Sequence, residues 1–151
     1  MKLTWKNLSL VFVAGALGGL VNSVTVWLFG AIGLAAALGV KIAPPLAAPW
    51  LYQRLVWGGL WGGLFLLPLR GLPYPARGVI YSLGPTLVQL LVVFPFQAHK
   101  GVLGLQLGYL TPVFVLFYNV VWGVVAGWWL SLGQEKEKRH APGGGSPGWP
   151  G

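Results

Sequence analysis

The sequence predicts an all-α, polytopic transmembrane bundle of four helices, with both termini inside and a disordered C-terminal tail. Three observations carry that expectation. Only 8% of the 151 residues are charged and 56% are apolar, with a mean hydropathy of +0.71, whereas a soluble domain carries roughly 25% charged residues. The apolar residues gather in four runs separated by segments rich in Pro, Gly and cations, each run near the ~20 residues that cross a hydrocarbon core of ~30 Å. The cations are also distributed unequally between the segments on the two sides of those runs.

Residues 8–29 contain no charge and form the first helix. A cleavable signal peptide is its rival, with Lys2 and Lys6 as the basic region and Ala14, Gly15 and Ala16 resembling a small-residue cleavage site. The apolar stretch, however, continues well past Ala16 to Phe29, longer than a signal's apolar region. Residues 30–49 hold Lys41, Pro44, Pro45 and Pro49 and read as a broken or extended connection, with a re-entrant segment as the alternative. The second helix covers 50–68 and closes at Pro68; Arg70, Gly71, Pro73 and Pro75 then mark a turn. After Arg77 the third helix spans about 78–95, and His99, Lys100 and three glycines fill the next connection. The fourth helix spans about 109–132. Residues 1–132 thus make one transmembrane domain. Residues 133–151, a mixed-charge run from Glu135 to Arg139 followed by Gly and Pro, read as the disordered tail.

With the N-terminus inside, the inner segments hold Lys2, Lys6, Arg70, Arg77, Lys136, Lys138 and Arg139, and the outer ones only Lys41, Arg54 and Lys100. Seven cations against three favour both termini inside. The aromatic residues agree: Trp5, Trp128 and Trp129 fall at the inner interface, and Trp27, Trp50 and Tyr52 at the outer one. The net charge of +8 does not point to nucleic acid, because the cations border apolar runs instead of covering one face of a soluble domain. The absence of Cys removes disulfides, thiolate metal sites and cysteine nucleophiles.

Small residues recur at helix-packing spacing. Gly15 and Gly19, Gly58 and Gly62, Gly59 and Gly63, and Gly123 and Gly127 are each four apart and share a face. Packing within the bundle is the first reading, and a seam between copies the second. Polar residues lie beside these faces. At ~100° per residue Asn22 falls within about 20° of Gly15, and Arg54 lies about 40° from Gly58, as Asn119 does from Gly123. Ser82, Thr86 and Gln89 share a face of the third helix beside Pro85. At ~1.5 Å per residue Asn22, Arg54, Gln89 and Asn119 all fall in the outer half, so a shared ligand-binding cluster is a candidate. Interhelical hydrogen bonding is the plainer role for the amides. Arg54 has two orientations open to it, snorkelling toward the outer interface near Trp50 or facing inward. An inward Arg54 has no carboxylate partner, since both acids, Glu135 and Glu137, lie beyond the membrane domain.

No catalytic residues, metal site or cofactor are expected: the only histidines are His99 and His140, and phosphate-loop and dinucleotide patterns are absent. The four-span plan and the stretch Thr86-Leu87-Val88-Gln89-Leu90-Leu91-Val92-Val93-Phe94-Pro95 resemble the YagU-type family of small bacterial inner-membrane proteins. That resemblance implies a multi-pass location in the inner membrane and no assigned activity. Two functions follow as expectations. The first is a non-enzymatic protein of the lipid bilayer that acts through packing, as a homo-oligomer or an accessory subunit of a membrane complex. The second is a small binding or permeation protein for an anion or a lipid headgroup, using the outer polar cluster.

Overall fold

Thr4, in extended backbone, turns its hydroxyl back to accept the Asn7 N–H at 3.2 Å, which caps the first helix. From there α1 runs over Trp5–Ala31 in the computed structural model, which describes residues 1–140. A single turn, α2 (Leu34–Ala37), and an extended stretch lead to α3 (Ala48–Gly62), which opens with Pro49 in its first turn. The chain continues through a 3-10 turn (Gly63–Leu66), α4 (Tyr74–Tyr81), α5 (Leu83–Val88), a π-helical segment (Gln89–Gln97), a second 3-10 turn (Val102–Leu107) and α6 (Thr111–His140). No strand occurs among the described residues. Three helical stretches are long and apolar enough to cross a membrane: Trp5–Ala31, Tyr74–Gln97 and Thr111–His140.

Several boundaries differ from the sequence expectation, each for a local reason. The second helix, expected over 50–68, is regular only to Gly62 and tightens into the 3-10 turn, because Pro68 holds Leu67 in extended backbone (φ −69°, ψ 136°). The third, expected over 78–95, begins at Tyr74, breaks at Ser82 and widens to π geometry from Gln89. Pro85 and Pro95 each lack the N–H that an α-helix would direct four residues back, so the regular ladder fails beside both. The last helix starts at Thr111 and continues past 132 to His140. Gln134, Glu135, Lys136, Lys138 and Arg139 are individually good helix formers, and cations in the last turn complement the helix dipole. Gln134 also donates to the Tyr74 hydroxyl at 2.9 Å. Residues 133–140 are therefore helix and not the start of the tail; the rest of the expected tail lies outside the described residues.

The 30–49 connection holds one helical turn, Leu34–Ala37, followed by extended chain. Ala35 and Val40 pack with Val26, Phe114 and Tyr118, and the Lys41 N–H donates to the Leu107 carbonyl at 2.7 Å. Gly108, at φ 134°, lies against the Gly39 carbonyl, where any Cβ would collide with backbone.

Three antiparallel seams join the long helices, and glycine decides each of them. Along α1–α3, a Cβ on Gly15 would strike the Gly58 carbonyl and one on Gly62 the Val11 carbonyl, while one on Gly19 would lie 2.8 Å from the Arg54 carbonyl. Along α4–α6, Gly78 and Gly123 each meet the other's carbonyl, and Gly127 meets that of Tyr74. Along α1–α6, Gly18 lies under Trp122, whose indole Nε1–H donates to the Gly15 carbonyl at 3.0 Å. Gly15, Gly19, Gly58, Gly62, Gly123 and Gly127 thus all serve packing inside the chain. Of the remaining expected pair, Gly59 receives the Phe12 ring and Gly63 faces open space. Phe65, Tyr74, Tyr81 and Trp122 fill the core where α4 and α6 meet the end of α3. The outer surface is covered by exposed apolar side chains such as Trp57, Leu60, Val113 and Phe96, as a lipid-facing surface requires.

Candidate functional site: a polar cavity between α3 and the α5–π segment

The tight α1–α3 seam sets Arg54 against α1. Its Nε–H donates to the Ser23 hydroxyl at 2.9 Å and its Nη2 to the side-chain Oδ1 of Asn22 at 2.6 Å, while the guanidinium lies 4.9 Å from the Trp50 ring centroid. Of the two orientations open from the sequence, the inward one is observed. Asn22, only 4% exposed, completes the relay by donating Nδ2–H to the Tyr118 carbonyl of α6 at 2.6 Å. A single asparagine therefore joins three helices. Ser23 is fully buried and passes its own proton back to the Gly19 carbonyl at 2.6 Å, which leaves its oxygen free to accept from Arg54.

Across from α3, the π segment and α5 supply the opposite wall. The wider π turn brings residues four apart nearer to one line than an α-helix does, and Gln89, Val93 and Gln97 all face the same space. Gln89 Oε1 accepts from Asn119 Nδ2 only at 3.5 Å, the outer limit of a hydrogen bond, so both amides keep most of their capacity. The space between the walls is a cavity of about 480 Å³. All four residues expected as a cluster, Asn22, Arg54, Gln89 and Asn119, line it, and so do Trp50, Trp57, Trp61 and Trp122. Ser82 and Thr86 do not join them, since their hydroxyls bond the carbonyls of Val79 and Ser82 in their own helix.

The charge in this cavity is one-sided. Of the five guanidinium N–H groups, Nε–H and one on Nη2 are engaged, which leaves three. The two carboxylates of the chain lie in the last turns of α6, far along the helix from Asn119. Among the described residues no three His, Cys, Asp or Glu side chains group as metal ligands. What the site can do chemically is hold an anionic group by charge-assisted hydrogen bonds and stack or shield an apolar body against indole rings.

Sequence reasoning missed Ser23, Gln53, Gln97, Gly78 and the tryptophan wall. Gly78 and Ser82 are small residues four apart and could have been found by the spacing that revealed the other glycines. Trp57 and Trp61, four apart on α3 beside Gly58 and Gly62, face the cavity. No family model matches this chain, and comparison with curated proteins and with solved structures gives no match.

Proposed function

We propose that the chain is a four-span integral protein of the bacterial inner membrane, both termini on the cytoplasmic side, that binds an anionic group at Arg54 without catalysing a reaction. Residues 48–66, α3 with its 3-10 turn, serve as the fourth and shortest span. The seven-to-three cation asymmetry supports the orientation, and the resemblance to YagU-type proteins supports the membrane.

One observation carries the binding reading: a guanidinium with three unspent N–H groups lines a cavity whose membrane domain contains no carboxylate. A cation held in low dielectric needs a counter-charge, and here the chain does not encode one. The glycine faces that, left on the exterior, would have supported assembly with a second copy or a larger complex are consumed inside the chain. Support therefore passes to binding.

The test titrates the detergent-purified protein with inorganic phosphate and a short-chain alkyl phosphate and follows tryptophan emission, since four indoles line the cavity. A saturable change is expected in the native protein, weakened about tenfold in Arg54→Lys, whose point charge cannot reproduce the planar fork. In Arg54→Leu the change disappears. Superimposable titrations of the native and Arg54→Leu proteins would remove the reading. A C-terminal reporter active only on the outer face would overturn the orientation.

A further inference from the structure

The walls of the Arg54 cavity change character along their length. On α3 the lining residues run Trp50, Gln53, Arg54, Trp57, Trp61, and on the facing element Gln97, Val92, Gln89, Val88, Pro85, so both walls mix polar and apolar residues through the Arg54 and Gln89 turns and are wholly apolar beyond them, at Trp61 and at Val88 and Pro85. From Gln53 to Trp61 this is about 12 Å of helix. The bottom is closed, because a Cβ on Gly84 of α5 would already lie 3.3 Å from the Trp61 ring. The side is not. α3 packs along α1 and forms no seam with α5 or the π segment, and the lining residues Trp57, Val88 and Val92 are 61%, 39% and 51% exposed. Besides the polar mouth at the exposed Gln53 and Gln97, apolar side chains of the lining reach the lipid-facing surface at mid-wall, an opening that a cavity for a hydrated ion alone would not need.

We propose that the slot between α3 and the α5–π segment admits an acidic membrane lipid from the side. The phosphate of its headgroup meets Arg54 beneath the amides of Gln53 and Gln97, and an acyl chain leaves between Trp57 and Val92. The proposal rests on the anion-binding reading of Arg54 and adds the source of the anion. Charge complementarity selects an anionic over a zwitterionic headgroup, because a choline cation would sit beside a guanidinium already lacking a counter-charge. The wide apolar exit accounts for the part of the occupant that cannot be hydrated.

The experiment reconstitutes the full chain in nanodiscs of equimolar phosphatidylcholine and phosphatidylglycerol and counts retained lipids by native mass spectrometry. Phosphatidylglycerol is expected to be enriched about tenfold over phosphatidylcholine, the ratio that a charge-assisted hydrogen bond supports, and the enrichment is expected to vanish in Arg54→Leu. Because the chain has no Cys, a Trp57→Cys/Val92→Cys variant bridged by a flexible bismaleimide clamps the lips. The clamped protein is expected to stop exchanging lipid while still responding to inorganic phosphate through the Gln53 and Gln97 mouth; its unclamped form is the reference. If the pair does not fold, Val92→Trp narrows the same slot and carries the same expectation. Equal retention of both lipids with an intact phosphate titration would overturn the lipid proposal and leave the Arg54 reading standing, whereas loss of the phosphate titration as well would end both. Unchanged lipid exchange in the clamped protein would overturn lateral entry.

Discussion

The α4–α6 seam offers the sharpest stability test, since backbone faces backbone and no side chain can rotate aside. A methyl at Gly78 would overlap the Gly123 carbonyl and lie 3.1 Å from the Gly123 Cα. Overpacking of this kind costs about 3 kcal/mol at the upper end of its range, and Gly→Ala in a helix returns about 1 kcal/mol. Gly78→Ala is therefore expected to lose about 2 kcal/mol, which lowers Tm by roughly 4–8 °C for a chain of this size. Gly133→Ala is the control, on α6 with nothing within 4 Å of its would-be Cβ, and it is expected to be neutral or slightly stabilising. Thermal unfolding of the detergent-solubilised protein, followed by tryptophan fluorescence, reads the difference. The double variant Gly78→Ala/Gly123→Ala is expected to cost less than the sum of its parts, because the separation forced by one methyl makes room for the other. Should Gly78→Ala prove as stable as Gly133→Ala, the two helices do not touch at these glycines and the reasoning fails.

Asn22→Leu removes the acceptor for Arg54 Nη2 and the donor to Tyr118, so a loss of about 2 kcal/mol is expected in the same assay; Gln89→Leu, whose contact with Asn119 is long, is expected to lose well under half of that. Trp122→Phe keeps the ring against Gly18 and deletes the indole N–H to Gly15, with an expected loss of about 1 kcal/mol. Truncation after Gly133 removes the exposed end of α6 and the Gln134 bond to Tyr74, and is expected to lower stability by no more than about 1 kcal/mol; a loss of several times that would show that the last turns are docked more firmly than one hydrogen bond allows.

Composition and apolar run length, both properties of the sequence alone, pointed to helices long and apolar enough to cross a membrane, and the described residues hold three such stretches and no strand; these properties are set by solvation before any tertiary contact forms. Spacing determined which faces carry glycine and which polar residues accompany them, since helical periodicity converts a four-residue interval into a shared face. That is why Asn22, Arg54, Gln89 and Asn119 could be grouped before their distances were known. The partners of those faces were decided only in three dimensions. Nothing local tells Gly15 to meet Gly58, or tells Gly123 to meet Gly78, because any small face can admit any backbone and the choice depends on how all the seams close together. The direction of Arg54 was decided there too: snorkelling and inward packing have the same sequence signature, and the balance turned on Ser23 and Asn22, separated from it by more than thirty residues, offering two acceptors at hydrogen-bond distance. The ends of helices fell between the two. Pro68, Pro85 and Pro95 announced where the backbone ladder would fail, because each lacks the N–H the ladder needs, but only the structure showed the form each failure took: a 3-10 turn ahead of Pro68, a break at Ser82 ahead of Pro85 and a π segment around Pro95.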